Sequence, residues 1–234
     1  WSLFQRGYDG VRVDWRRRGL QATAAALRPT QGGFEDSANR SISGIDLLLG
    51  AVTFQPATVV PRTQWQLFAY RYDDDRPVSA RPDNSGLSAG RTDAAIATFG
   101  STLVGAYTTG PGELDATLWL AGQTGTWYGQ QHRAASVAAE VGYEWTKAKW
   151  RPWVRAGLLR ASGDSNPGDN EHGTFFPMLP TGRKFSLTAT YSLMNLNDRF
   201  VEASFLPHAR VRASVFARAL SLVTAADGWY SGSG

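Results

Sequence analysis

Arginine carries most of the chemistry that this sequence could perform. Of 24 basic residues only three are lysine (Lys147, Lys149 and Lys184), so 24 minus 3 leaves 21 arginines. Six of them fall where they alternate with apolar residues. Arg12 and Arg16 flank Asp14 in Val11-Arg12-Val13-Asp14-Trp15-Arg16, Arg155 follows Val154, and Arg210, Arg212 and Arg218 interleave with Val211, Ala213 and Ala217. Fixed guanidinium groups attract anions, and rings of Arg or Lys are how anion pores select. The carboxylates Asp14, Glu140, Glu144 and Glu202 fall on the same face by the same alternation. They would brace that face by ion pairing, because an unpaired charge in a narrow space is costly. Two readings stay open: a wall that favours anions, and a mixed-charge wall without strong preference.

Other constellations are weaker. The stretch 163–183 is rich in oxygen ligands, with Asp164, Asn166, Asp169, Asn170 and Glu171. Asp164, Asp169 and Glu171 are candidate Ca²⁺ ligands, but Pro167 and the spacing depart from an EF-hand loop, and a solvated outer loop is the plainer expectation. Asp73-Asp74-Asp75 is similar and weaker. Gly86-Leu87-Ser88-Ala89-Gly90 matches G-x-S-x-G, yet a nucleophile elbow needs a buried strand before it and a helix after it, and the neighbours are polar. His132, His172 and His208 lack zinc-site spacing, and no catalytic residues or cofactor are assigned. Cysteine is absent, which removes thiolate chemistry and disulfides. The net charge of +4 comes from scattered arginines without a nucleic-acid-binding motif, so nucleic acid is not an expected partner.

The elements that would position these side chains are strands. In 11–16 odd positions are apolar and even positions charged, and Ser136–Trp145, Glu113–Leu120 and Arg210–Ala219 repeat that pattern. A strand sends successive side chains to opposite faces, so one face would meet lipid and the other water. The alternation predicts strands at 8–16, 20–29, 42–53, 64–72, 93–107, 112–122, 131–146, 150–162, 184–191, 198–206 and 210–222. Their lengths approach the roughly 9 to 11 residues that a tilted strand needs to cross a bilayer. Apolar runs never approach the roughly 20 residues of a membrane-spanning helix. Long connectors at 30–41, 73–92 and 163–183 follow even-numbered strands, and tight turns at 17–19, 108–111 and 147–149 follow odd-numbered ones. That is the asymmetry of bacterial outer-membrane barrels; 54–63 and 207–209 fit it less well. Aromatics near strand ends (Trp15, Trp65, Trp127, Tyr128, Tyr143, Trp145, Trp150, Trp153, Trp229 and Tyr230) read as girdles at the headgroup level. The expected fold is therefore all-β, a transmembrane antiparallel up-and-down β-barrel spanning 1–234 as one domain. An odd strand count and a loop-like Ser231-Gly-Ser-Gly end predict a piece of a larger barrel.

Ala161-Ser162-Gly163-Asp164, Asn166-Pro167, Asp169, Gly173-Thr174-Phe175 and Phe176-Pro177-Met178-Leu179-Pro180 resemble a loop of the alginate export family of outer-membrane porins. Asp227-Gly228-Trp229-Tyr230 with Ser231-Gly232, and Tyr8-Asp9-Gly10-Val11-Arg12, are similar to further parts of that family. The resemblance covers most of the chain and corresponds to the middle-to-late part of a longer family member. It implies a monomeric barrel in the bacterial outer membrane, in contact with outer-membrane lipid, that passes anionic polysaccharide or small anionic solutes and is not an enzyme. Two alternatives belong to other classes. An outer-membrane barrel hydrolase would need a Ser and a His meeting on an outward-facing wall. A soluble β-sandwich carbohydrate-binding module would bury its apolar faces between two sheets.

Overall fold

The computed structural model describes residues 7–31, 37, 39–55, 62–76, 93–178 and 190–230. One sheet holds every strand. In chain order these are β1 (Tyr8–Arg17), β2 (Leu20–Pro29), β3 (Ile45–Phe54), β4 (Thr63–Asp74), β5 (Ala94–Thr109), β6 (Gly112–Trp127), β7 (Gln130–Glu144), β8 (Trp153–Ala161), β9 (Glu171–His172), β10 (Leu196–His208) and β11 (Val211–Leu222). Ten of them form an antiparallel meander in sequence order, with β10 beside β8. The two-residue β9 instead lies parallel to β7, off that path. β1 and β11 are the sheet's edges, and the sheet does not close on itself. No helix long and apolar enough to cross a membrane occurs among the described residues.

The register assigns each side chain to a face, because directly paired residues in an antiparallel ladder point the same way. From Arg12 the same-face series runs Ala25, Leu49, Tyr70, Thr98, Gln123 and Ala134. From Val13 the opposite series begins with Ala24, Gly50 and Ala69. This second face is bare: Val11, Val13, Leu48, Phe99, Leu120, Val141, Leu158, Val201 and Val215 stand exposed on it. Its middle band carries no charged residue on any strand. Exposed Trp15, Trp65, Trp145 and Trp150, with Phe205 against Trp150, gather at its short-turn end.

The expected strands are present with one exception. Residues 184–189 of the expected ninth strand lie outside the described residues, and Thr190 and Tyr191 are not in a strand. The turn near 209–210 then follows β10 on the short-turn side, which removes the misfit that the tight 207–209 connection posed. β6 continues to Trp127, so only Tyr128 and Gly129 link it to β7. That link is the one tight turn on the long-loop side, and Tyr128 and Gly129 have the positive φ (42° and 99°) that a two-residue hairpin requires.

Candidate functional site

The oxygen-rich stretch 165–171 is largely exposed, as a solvated outer loop would be. Residues 172–178 instead fold back onto the Arg12 face and cover it over β4–β8. Phe175, 3% exposed, packs edge-on to Trp119 and belongs to a cluster with Phe68, Ala121, Ala134, Ala161 and Leu193. Phe176 reaches a second cluster through Tyr72 and Trp127, with ring centroids at 5.2 and 5.0 Å. A loop with several polar backbone groups can be buried only if each finds a partner. Gln123 supplies two: its Oε1 accepts from Phe176 N at 2.9 Å and its Nε2 donates to Phe176 O at 2.6 Å.

The Ala161-Ser162-Gly163-Asp164 segment is the anchor of this loop. Ser162 Oγ donates to Gly173 O at 2.7 Å, and Ser162 O accepts from Phe175 N and Asn195 N. Gly163 lies against the Asn195 side chain with no room for a Cβ. Asp164 N donates to Thr174 Oγ1 and to Asp227 Oδ2, and Thr174 Oγ1 donates to the same Asp227 Oδ2 at 2.6 Å. Tyr230 OH donates to Asp227 Oδ1, and Asn195 Nδ2 bonds the carbonyls of Thr224 and Gly228. Two motifs far apart in sequence, 161–175 and 227–230, are therefore the two halves of one hydrogen-bonded knot.

Two histidines meet where β9 joins β7. His132 Nδ1 and His172 Nδ1 are 2.7 Å apart, and His172 stacks on Trp127 at 4.6 Å. Phe176 fixes which way the Gln123 amide points, so Gln123 Oε1 faces His132 Nε2 at 3.1 Å and that nitrogen carries a proton. The contact between the two Nδ1 atoms holds a single proton, which makes it a latch between loop and wall. Sequence spacing gave no sign of this pair, because a loop, not a strand or helix, brings His172 back. Among the described residues their neighbours include Gln123, Trp127 and each other. His208 stands apart at the β10–β11 turn, accepting from Arg210 N.

The charged residues singled out from sequence divide into three groups. Arg12, Asp14 and Arg16 share the loop-bearing face on exposed β1, where Arg12 pairs with Asp14 at 2.8 Å. Glu140, Glu144, Arg155, Glu202 and Arg218 share that face on β7–β11. There Arg155 pairs with Glu140, and Arg218 pairs with Asp198 at 3.2 Å and lies 4.9 Å above the Phe216 ring. Glu144 is paired at 2.8 Å with Arg151 from the β7–β8 turn. Arg212 reaches Ser204 Oγ, while Arg210 sits in a turn and not on the wall. Arg16 and Arg212 pair with no carboxylate among the described residues. Asp115 and Asp198, not among the acids singled out as site residues, occupy the same face, so positive and negative groups interleave along it. At the long-loop end, Asp74 is buried and held by Tyr72 OH and Arg76, whose hydrogen bonds raise the guanidinium further above its ordinary pKa.

Two of the candidate Ca²⁺ ligands accept from backbone amides of their own turn. Asp164 Oδ1 accepts from Asn166 N, Asp169 Oδ1 accepts from Glu171 N, and no group of three or more metal-ligating residues forms among the described residues. The Gly86–Gly90 motif lies outside the described residues. The aromatic girdle is one-sided. Trp127, Tyr128 and Tyr230 are buried near the loop, and Trp153 lies on the loop-bearing face donating to Asp115.

An antiparallel meander with one face apolar and uncharged across its middle, a polar and charged opposite face and a long loop folded onto the latter is the wall of a transmembrane β-barrel. Both faces belong to one sheet, so the apolar residues are not enclosed between two sheets as a sandwich would require. The alginate export family profile matches residues 1–234, and the chain belongs to that family of outer-membrane channel proteins. No curated protein matches the sequence.

Proposed function

We propose that this chain forms a stretch of the wall of an outer-membrane channel for anionic polysaccharide or small anionic solutes, with residues 162–178 narrowing the lumen. The observation that carries this reading is the loop itself. Phe175 and Phe176 are seated on the polar face by Gln123, while the opposite face stays apolar and uncharged across its middle. On this reading the loop-bearing face lines water, and Arg12, Arg16, Arg155, Arg212 and Arg218 offer guanidinium groups to carboxylates of the solute. Asp14, Glu140 and Asp198 hold Arg12, Arg155 and Arg218 in pairs, and Glu144 and Glu202 add negative charge to the same face, leaving Arg16 and Arg212 as the positions that steer. Solute would move down its own gradient.

The test is planar-bilayer recording on the full-length protein under a salt gradient. We expect ion flow with a reversal potential on the anion side, moved toward cations by Arg16→Glu with Arg212→Glu. Absence of conductance removes the channel. A conducting channel whose reversal potential ignores both substitutions removes arginine steering and leaves the mixed-charge wall, which the interleaved carboxylates favour.

A further inference from the structure

The bare face is uncharged across its middle, but not at its long-loop end. Arg28, Arg71, Arg133, Arg160 and Arg199 all point from that face. Arg28 is paired with Asp46 and Arg71 with Asp73. The other three lie on neighbouring strands β7, β8 and β10, are exposed, and have no carboxylate partner among the described residues. Arg160 stands opposite Val137 and donates to Asn197 Oδ1. Arg133 lies further up β7 than Val137, toward the Trp127–Gln130 turn, and Arg199 lies below Asn197 on β10.

This descending diagonal follows the sheet's own stagger. β4 begins at Thr63 opposite Gly105, β5 and β6 run on to Thr109 and Gly112, and β10 continues past Ser204 to His208. The short-turn edge therefore steps downward from β4 to β10, as it must when strands tilt within a membrane. Across β8 and β10 a line parallel to that edge runs close to Arg160 and Arg199, just above exposed Leu158 and Val201, while Arg133 stands nearer the long-loop end of β7. Three guanidinium groups in the long-loop half of a lipid-facing wall require an anionic counterpart. The headgroup layer on the long-loop side is where they would meet one, and guanidinium binds phosphate in bidentate fashion. The opposite rim of the same face carries exposed tryptophans, with Arg17 at its β1 edge and Lys149 beside Trp150.

We propose that Arg133, Arg160 and Arg199 form a binding site for a phosphorylated lipid headgroup in the leaflet on the long-loop side. This rests on the barrel-wall reading above. The experiment uses the full-length protein in phosphatidylcholine nanodiscs doped with a diphosphorylated glycolipid or its dephosphorylated form, with retained lipid counted by native mass spectrometry. Three charges near the surface predict roughly tenfold or greater preference for the phosphorylated form, reduced severalfold by 0.5 M salt. The triple variant Arg133→Gln, Arg160→Gln, Arg199→Gln should bring the preference close to one, whereas Arg28→Gln with Arg71→Gln should leave it in place. Inorganic phosphate at millimolar concentration should not displace the lipid; full displacement would overturn a lipid site in favour of a free-phosphate one. An unchanged preference in the triple variant, or a salt-independent preference in the parent protein, overturns the proposal. A parent protein that conducts ions yet shows no preference overturns this site alone. One that neither inserts nor conducts overturns the barrel-wall reading with it.

Discussion

Arg12 on β1 and Gln123 on β6 point from the same face of one sheet, in opposite surroundings. Every residue of β1 is exposed, and among the described residues Arg12 has only Asp14, two positions along its own strand, as its ionic partner. Gln123 is buried, with its amide shared among Thr98, His132 and the Phe176 backbone. The strands themselves do not explain the contrast, since both alternate and both pair in register. The difference is the loop that lands on β6 and not on β1. Alternation makes a two-faced wall everywhere, and the loop converts one part of that wall into a packed core.

Removing the loop is the strongest way to erase that contrast. Replacing 163–176 with a short Gly-Ser link should leave the meander intact, because its ladder hydrogen bonds run between strands. Single-channel conductance should rise by roughly threefold or more, as expected when an element that fills a lumen is taken away. An unaltered conductance would mean that the loop does not narrow the path. Phe175→Ala asks the same question with one side chain. Truncating a buried phenylalanine costs about 3 to 5 kcal/mol in a soluble core, enough to free the loop while the strands hold. Protease cleavage within 163–178 should accelerate, and Val13→Ala on β1 should not reproduce it. Equal cleavage rates for the two variants would contradict the packing described here.

The wall was legible in the sequence and the loop's position was not. Val11-Arg12-Val13-Asp14 states which face each side chain takes, because a period of two is local and independent of distant residues. The ends of β6 were harder. Gln123-Thr124-Gly125-Thr126 lacks apolar alternation, since its inward partners, His132 and Phe176, come from elsewhere. The oxygen-rich stretch reads as solvated, and 165–171 is largely exposed, its carboxylates capping backbone amides of their own turn. What that reading misses is the return of the chain just after it, where Phe175 and Phe176 pack on the wall. The aromatic girdle was half right, in that rings at the short-turn end are exposed whereas Trp127 and Tyr128 serve the loop. Resemblance singled out 161–175 and 227–230 separately, and only the fold reveals that Asp227 joins them.

That junction gives the next test. A methyl group at residue 163 would overlap the Asn195 side chain, so Gly163→Ala should destabilise the knot by roughly 1 to 3 kcal/mol. Asn195→Ala makes room but loses its bonds to Thr224 and Gly228. If the two residues compete for one space, the double variant should be less damaging than the sum of the singles, as judged by loop proteolysis. Strict additivity would show that they do not touch.

The smallest effect belongs to β1. Arg12→Gln removes a charge that water and salt already screen, so thermal stability should stay within error of the parent protein. The reversal potential should still move slightly toward cations, by less than for Arg16→Glu. Arg12 is partly neutralised by Asp14, whereas Arg16→Glu reverses an arginine that forms no ion pair among the described residues. Asp14→Asn should move it the other way, because it releases Arg12 from its partner while leaving the guanidinium in place. If both substitutions shift the potential in the same direction, the Arg12 face does not border the conducting path. The bare sides of β1 and of β6 would then have to be compared afresh.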